Sequence, residues 1–371
     1  MEADNLDMII KVWGNRGSIP SPLRDEEVLE KHVEQLFKTV ERIKANGIKK
    51  VFGQHNPTKD SIRHYLIDSF PKAVIGTYGG DTTCIEIQAR NSPLQVVDLG
   101  TGAREAGRAI SKRIFSKDRN LNPLNSAQEN KNLLDVWLSH YHWDHIQGIP
   151  FFEPVLMPYG TSGIAIKFHG KKLVRRNMKG ILKGQQQEDY FPVAWENIPA
   201  KVSYDELPIK HPKLQQKGQL KVTYQEMRHP RLSLSYAFEI NKKKFVFATD
   251  NEVRGQIDSG LVELARNAEI MYMDAQYLPE EYAGGDPKLI TGKLPKKGWG
   301  HNTYEFCVLN ALAADVKLLV LGHHEPIRSD KGLDELQSRA MDYRDSLLLE
   351  PPHLGKKLQV MLSYQGMELR L

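Results

Sequence analysis

The sequence predicts a layered fold of the α/β or α+β kind, and three observations carry that prediction. Short apolar runs of strand length recur along the chain. Helical patterns fall between some of them, and five of the runs end in an aspartate or a histidine. The 371 residues suffice for one large domain or two small ones. We expect one domain over 1–371, with a helical insertion at about 23–75.

Taken in order, MIIKVWG is the first strand-like run. Residues 25–46, DEEVLEKHVEQLFKTVERIKAN, predict an amphipathic helix with Leu29, Val33, Leu36 and Val40 on one face and charge on the other. DSIRHYLIDSF, near 60–70, predicts a second helix, so the excursion lies between two strands. Its apolar face is expected to cover a sheet or to serve a dimer. CIEIQA, LQVVDLG, LLDVWLSH, IAIKFHG, LKVTYQEM, SYAFEI, KFVFATD and EIMYMDA then read as buried strands. TYEFCVLNALAADV has helical spacing, with Thr303 as its N-cap candidate. KLLVLGHH and LQVMLSYQG complete the series.

Hydrophobic residues make up 40% and charged residues 26%, an ordinary balance for a globular chain. No stretch approaches the roughly 18 apolar residues of a membrane span. The N-terminus begins acidic and has no basic region leading into an apolar run, so no secretory signal is expected. Two cysteines, Cys84 and Cys307, exclude a disulfide scaffold and fit a reducing cytoplasm. A formal charge of +5 permits an anionic substrate without demanding nucleic acid.

The chemistry gathers at the strand ends. QVVDLG delivers Asp98, DVWLSH delivers His140, FVFATD delivers Asp250, IMYMDA delivers Asp274, and LLVLGHH delivers His323 and His324. In layered folds, sites form where loops leave strand ends. Beside them, HYHWDH sets His140, His142, Asp144 and His145 within six positions. Imidazole and carboxylate without thiolate suit zinc, manganese or iron. There are donors enough for two ions, and ions about 3.5–4 Å apart clamp both oxygens of a phosphodiester displacement.

HYHWDH, read as His-x-His-x-Asp-His, resembles the signature of the metallo-β-lactamase fold. The likeness runs through WGNRGSIPSP, YGGDTTCIEI, VVDLGTG, SHYHWDHIQGIPFF, YFPV, FATDNE, DAQYLPEEY, GWGHNTYEFC and LGHHEPIRSD, nearly the whole chain apart from the insertion. It is similar to the ribonuclease Z-like phosphodiesterase branch, and within it to the anti-Pycsar cyclic-nucleotide phosphodiesterases. The resemblance implies an αββα sandwich with two divalent ions at one edge, zinc first and manganese or iron as alternatives. It implies that His140, His142 and His229 bind one ion, that Asp144, His145 and His323 bind the other, and that Asp250 bridges them. Asp144 would also align the nucleophile, His301 would assist the leaving oxygen, and Asp274 would orient His301. Asp98 reads as a support of the HYHWDH loop, and His324 as packing or a substrate contact. After His229 the chain departs from the small residues usual in the family, with Pro230, Arg231 and Leu232.

Other positions stay open. Tyr190, Phe191 and Pro192 either stack on a base or pack a loop, and Arg16 either meets phosphate or pins a turn. The basic stretch 171–184 reads first as a solvated face. His32, His55, His64, His169, His211 and His353 have no motif context and read as surface or core. The expected function is hydrolysis of a 3′,5′-cyclic nucleotide to a linear monophosphate, by a homodimer with no membrane attachment. A ribonuclease Z-type RNA 3′ endonuclease and a nucleotide-sequestering protein are the alternatives. The modest charge and the lack of a Gly/Pro-rich arm disfavour folded RNA.

Overall fold

The computed structural model describes residues 6–115, 124, 133–158, 164–208, 214–253, 255–284, 294–349 and 351–371, so His211 lies outside the described residues. In chain order the strands are β1 (Met8–Gly14), β2 (Cys84–Ala89), β3 (Leu94–Val97), β4 (Leu133–Trp137), β5 (Ala165–Lys171), β6 (Lys201–Leu207), β7 (Gln215–Lys217), β8 (Leu220–Met227), β9 (Ser233–Ile240), β10 (Lys243–Ala248), β11 (Ile270–Asp274), β12 (Leu318–Gly322), β13 (Gln359–Leu362) and β14 (Glu368–Arg370). They form two seven-stranded sheets, β14-β1-β2-β3-β4-β5-β6 and β13-β12-β11-β10-β9-β8-β7.

Side-chain alternation explains the layers. In β8, Leu220, Val222 and Tyr224 are buried while Lys221 and Thr223 face water, the period-two pattern of a half-covered strand. Every residue of β2 and β11 is buried, as expected for central strands covered on both faces. Between the sheets lie Trp137, Tyr236, Phe238, Phe245, Phe247 and Tyr272. Each such ring contributes on the order of 1.5–3 kcal/mol through burial. On the outer face of the first sheet, α5 (Ala103–Phe115) packs over Val96, Leu134 and Val136. The helices Ser259–Ala265, Tyr304–Ala313 and Asp330–Leu348 cover the second. The order is helix, sheet, sheet, helix: the αββα sandwich that the resemblance implies.

Strand direction then decides where the chemistry goes. β3 and β4 run parallel, and so do β10, β11 and β12. Parallel neighbours end on the same edge, so Asp98, His140, Asp250, Asp274 and His323 all leave the sandwich there.

Between β1 and β2 the chain forms α1 (Asp25–Asn46), α2 (Ile48–Phe52), α3 (Lys59–Ser69) and α4 (Lys72–Ile75). α3 starts at Thr58, whose hydroxyl accepts from Ser61 N at 3.2 Å. Tyr65, Phe70 and Val74 give this excursion a small cluster of its own. Two local readings differ. Thr303 stands at the N-cap of its helix, but its side chain makes no cap hydrogen bond, and its buried hydroxyl has no partner among the described residues. Strands β6, β7 and β14 are short or mixed in polarity and carry no apolar run to mark them.

Candidate metal centre

Sharp turns deliver several site residues. Asp98, Asp250 and His323 have φ of 56°, 56° and 52°. Left-handed backbone is unfavourable for residues with a Cβ, and it bends the chain abruptly where each strand stops.

All nine residues assigned to metal or catalysis come together at this edge. Their ligand atoms form overlapping groups, each within 4.8 Å: His140 with His142 and His229; Asp144 with His145 and His323; His140 with His145 and Asp250; His229 with Asp250 and His301; Asp274 with His301 and His323. The first two groups are the two triads drawn from the resemblance. Asp250 joins a histidine of each. Eight of the nine residues are buried, and His142 alone is exposed.

Hydrogen bonds on the far side of each ring fix which nitrogen faces inward. His145 Nδ1 donates to Asp98 Oδ2 at 2.8 Å, His323 Nδ1 to Gln276 Oε1 at 3.0 Å, and His229 Nδ1 to the Gly300 carbonyl at 3.1 Å. Ser139 Oγ donates to Asp98 Oδ2 at 2.7 Å and so accepts from His140 Nδ1 at 3.1 Å. Four Nε2 atoms are thereby left for the centre, the arrangement that sets tautomer and orientation in metal sites. His145 Nε2 lies 3.2 Å from His323 Nε2, from Asp144 Oδ2 and from Asp250 Oδ2. Gly300, with φ of 97°, must be glycine, since a Cβ there would collide with the His229 ring.

The pair outside the triads is equally well held. His301 Nδ1 donates to Asp274 Oδ2 at 3.1 Å, and the same carboxylate accepts from Asp250 N at 3.0 Å and Asn302 N at 2.9 Å. Burial opposes a charge on His301, but Asp274, Asp250 and Asp144 outweigh it and raise its pKa to about 9. Burial pushes His140 well down and His229 down to about 4. At His145 burial also opposes the charge, yet Asp250, Asp144 and Asp98 hold it well above the ordinary imidazole value.

The donor set fits divalent cations. Among the described residues, His140 Nε2 and Asp250 Oδ2 are buried without a hydrogen bond, a costly arrangement that a cation would relieve. Nitrogen and carboxylate donors converge without thiolate, which matches zinc, manganese or iron chemistry.

Ser18 N donates to Asp144 Oδ2 at 2.8 Å. Ser18, Tyr141, His142, Trp143, Asp144, Asp250 and His301 line a cleft of about 380 Å³. Trp143 is 77% exposed in its wall. The other open positions sort themselves by contact. Arg16 pins a turn, donating to the carbonyls of Gly79, Glu325 and Arg328. His324 is fully buried and bonded to the Ser363 carbonyl. Phe191 meets Phe151 edge-on at 5.5 Å, which is loop packing. Sequence reasoning missed Ser18, Ser139, Gln276 and the Gly300 carbonyl as supports, and Trp143 as a wall.

A family model described as Beta-lactamase superfamily domain matches residues 105–324. The chain belongs to that superfamily. Its members are mostly metal-dependent hydrolases. No curated protein matches the chain. Among solved structures, the chain is similar to the metallo-beta-lactamase fold protein YhfI from Bacillus subtilis, at 12% identity over 99% of this chain and 100% of that one, with a TM-score of 0.53. It is similar to unliganded yeast PDE1 at 13% identity, over 99% and 100%, with a TM-score of 0.55. The short form of human tRNase Z follows at 13% identity, over 97% and 98%, with a TM-score of 0.51. At these identities the likeness is one of fold, and the fold is that of the metallo-β-lactamases.

Proposed function

We propose that this superfamily member is a phosphodiesterase that works with two divalent ions and opens a small 3′,5′-cyclic nucleotide to its linear monophosphate. The observation that carries the reading is the His301–Asp274 pair standing beside a three-histidine group and an Asp144–His145–His323 group, at a small cleft that His142, Asp144, Asp250 and His301 line. His140, His142 and His229 would hold one ion, Asp144, His145 and His323 the other, and Asp250 both, with zinc the first candidate. Such ions supply positive charge for phosphoryl oxygens and a more acidic water at neutral pH.

The chain's own groups do the rest. Protonated at neutral pH beside Asp274, His301 donates Nδ1–H to that carboxylate and keeps a second proton on Nε2 that it would pass to the departing oxygen. Asp144, fixed by Ser18 N–H, offers a carboxylate in the cleft wall to align the attacking water. The open face of Trp143 suits a planar base, since aromatic rings are stacking platforms for bases of any sequence. The blocks resembling anti-Pycsar enzymes, together with a cleft of about 380 Å³, favour a small cyclic substrate over an RNA end.

The test is hydrolysis of purine and pyrimidine 3′,5′-cyclic mononucleotides by the protein supplied with manganese or zinc, with Asp144→Ala alongside. Conversion to linear monophosphates, lost in the variant, supports the reading. No turnover by ion-loaded protein overturns it and passes the question to RNA 3′ ends and to nucleotide sequestration.

A further inference from the structure

α1 wears its faces the wrong way round for a helix resting on a domain. The side toward the body is polar: Lys31 donates to the Gly76 carbonyl at 2.6 Å and pairs with Asp330, Gln35 donates to the Val74 carbonyl, and Arg42 donates to the Ser69 carbonyl at 3.3 Å. The side toward water carries Leu29, Val33, Leu36, Phe37 and Val40, from 46% exposed at Val40 to 68% at Leu36. α1 buries none of its residues. A contiguous apolar stripe of this kind marks an interaction surface.

The spacing of the stripe narrows the occupant. Leu29, Val33, Leu36, Val40 and Ile43 follow alternating steps of four and three, the seam of a helix that pairs with another helix. Along one flank of that seam lie Glu30, Phe37 and Lys44, an acid and a base placed symmetrically about an aromatic. Glu26, Glu30 and Glu41 border the stripe, so an anionic lipid surface is repelled.

We infer that α1 pairs with α1 of a second copy of this chain, antiparallel, about a two-fold axis beside Phe37. This sets Glu30 opposite the partner's Lys44, and Lys44 opposite the partner's Glu30. Phe37 meets the partner's Phe37, Val33 layers with the partner's Ile43, and Leu36 with the partner's Val40. A two-fold axis makes the surface complementary to itself. The parallel arrangement would bring Glu30 to the partner's Asp25, acid against acid. At 1.5 Å per residue the 22-residue helix is about 33 Å long. A stripe about 10 Å wide then covers roughly 700 Å² in total, below the roughly 1,200 Å² of a tight complex, so association depends on concentration.

Sedimentation equilibrium of the full chain across micromolar concentrations is the test, and it is independent of activity. The expected result is a monomer–dimer equilibrium that Leu36→Glu shifts to monomer without loss of helix content by circular dichroism. Glu30→Lys weakens the dimer, and Glu30→Lys combined with Lys44→Glu restores it. Cross-linking with a short bis-maleimide reads the direction, because Cys84 and Cys307 are both buried. Phe37→Cys links to itself, whereas Glu30→Cys does not. A monomer throughout, a dimer indifferent to Leu36→Glu, or self-linking of Glu30→Cys would each overturn the inference.

Discussion

The site edge and α1 depart from the inside–outside rule in opposite directions. At the edge, eight of the nine side chains assigned to metal or catalysis are buried, and two of their polar atoms have no hydrogen-bond partner among the described residues. Along the α1 stripe, five large apolar side chains stand in water. Both arrangements are unfavourable for the isolated chain; the cations proposed for the first would relieve it, and the second copy inferred for α1 would cover the other. A third cluster shows how a buried polar group looks when the chain satisfies it alone. His169 lies between Asp135 Oδ1 at 2.6 Å and Asp205 Oδ2 at 3.1 Å, and Lys217 reaches Asp135 at 3.1 Å. Burial alone does not point to a metal centre; open donor atoms that converge within 4.8 Å of other imidazole and carboxylate ligand atoms do.

Four predictions sharpen the comparison. The largest effect is expected from His301→Ala, which removes the proposed proton donor and leaves both triads intact; kcat should fall roughly 10²–10⁴-fold with metal content unchanged. Lost metal would instead place His301 among the ligands. Gln276→Ala frees His323 Nδ1 from its only side-chain acceptor among the described residues. Zinc affinity should drop about 10–100-fold, read by competition with a chelator. An unchanged affinity would show that Gln276 does not orient the ring.

The third prediction concerns acid stability of the self-sufficient cluster. Burial disfavours the ionised form of Asp135, but the hydrogen bond and charge of His169, with Lys217, outweigh it and hold the carboxyl below its usual range. Asp205, bonded to His169, is lowered as well. A lowered carboxyl contributes stability that is complete above its unfolded pKa of about 4 and is lost as pH falls through the lower folded value. Thermal melts of Asp135→Asn should therefore be less stable at neutral pH and lose less on acidification below about pH 4 than the native chain. Equal slopes would contradict the assignment. The smallest effect is expected from Leu36→Ala, within about 0.5 kcal/mol of native stability at concentrations where the chain is monomeric. A cost of several kcal/mol would mean that the α1 stripe is packed within one chain.

The site was legible where chemistry and local order coincide. HYHWDH is dense in donors, and Asp98, Asp250, Asp274 and His323 follow apolar strands whose parallel pairing brings their ends to one edge. The supports were illegible because each depends on a distant partner. Gln276 meets a histidine 47 residues away, and Ser18 meets an aspartate 126 away. The Gly300 contact with His229 is made by a backbone carbonyl, which no side chain announces. The helical stripe of α1 was visible in its spacing, but spacing does not say which face meets the body; polar contacts through Lys31, Gln35 and Arg42 decide it.

The most direct test of the account is calorimetric titration of the metal-stripped protein with zinc, beside Asp250→Ala. Two zinc ions per chain are expected, with proton release on binding because cations displace protons from these donors, and with loss of tight binding at both positions in the variant. No zinc binding, or binding untouched by Asp250→Ala, would contradict the central claim that this edge is a two-ion centre.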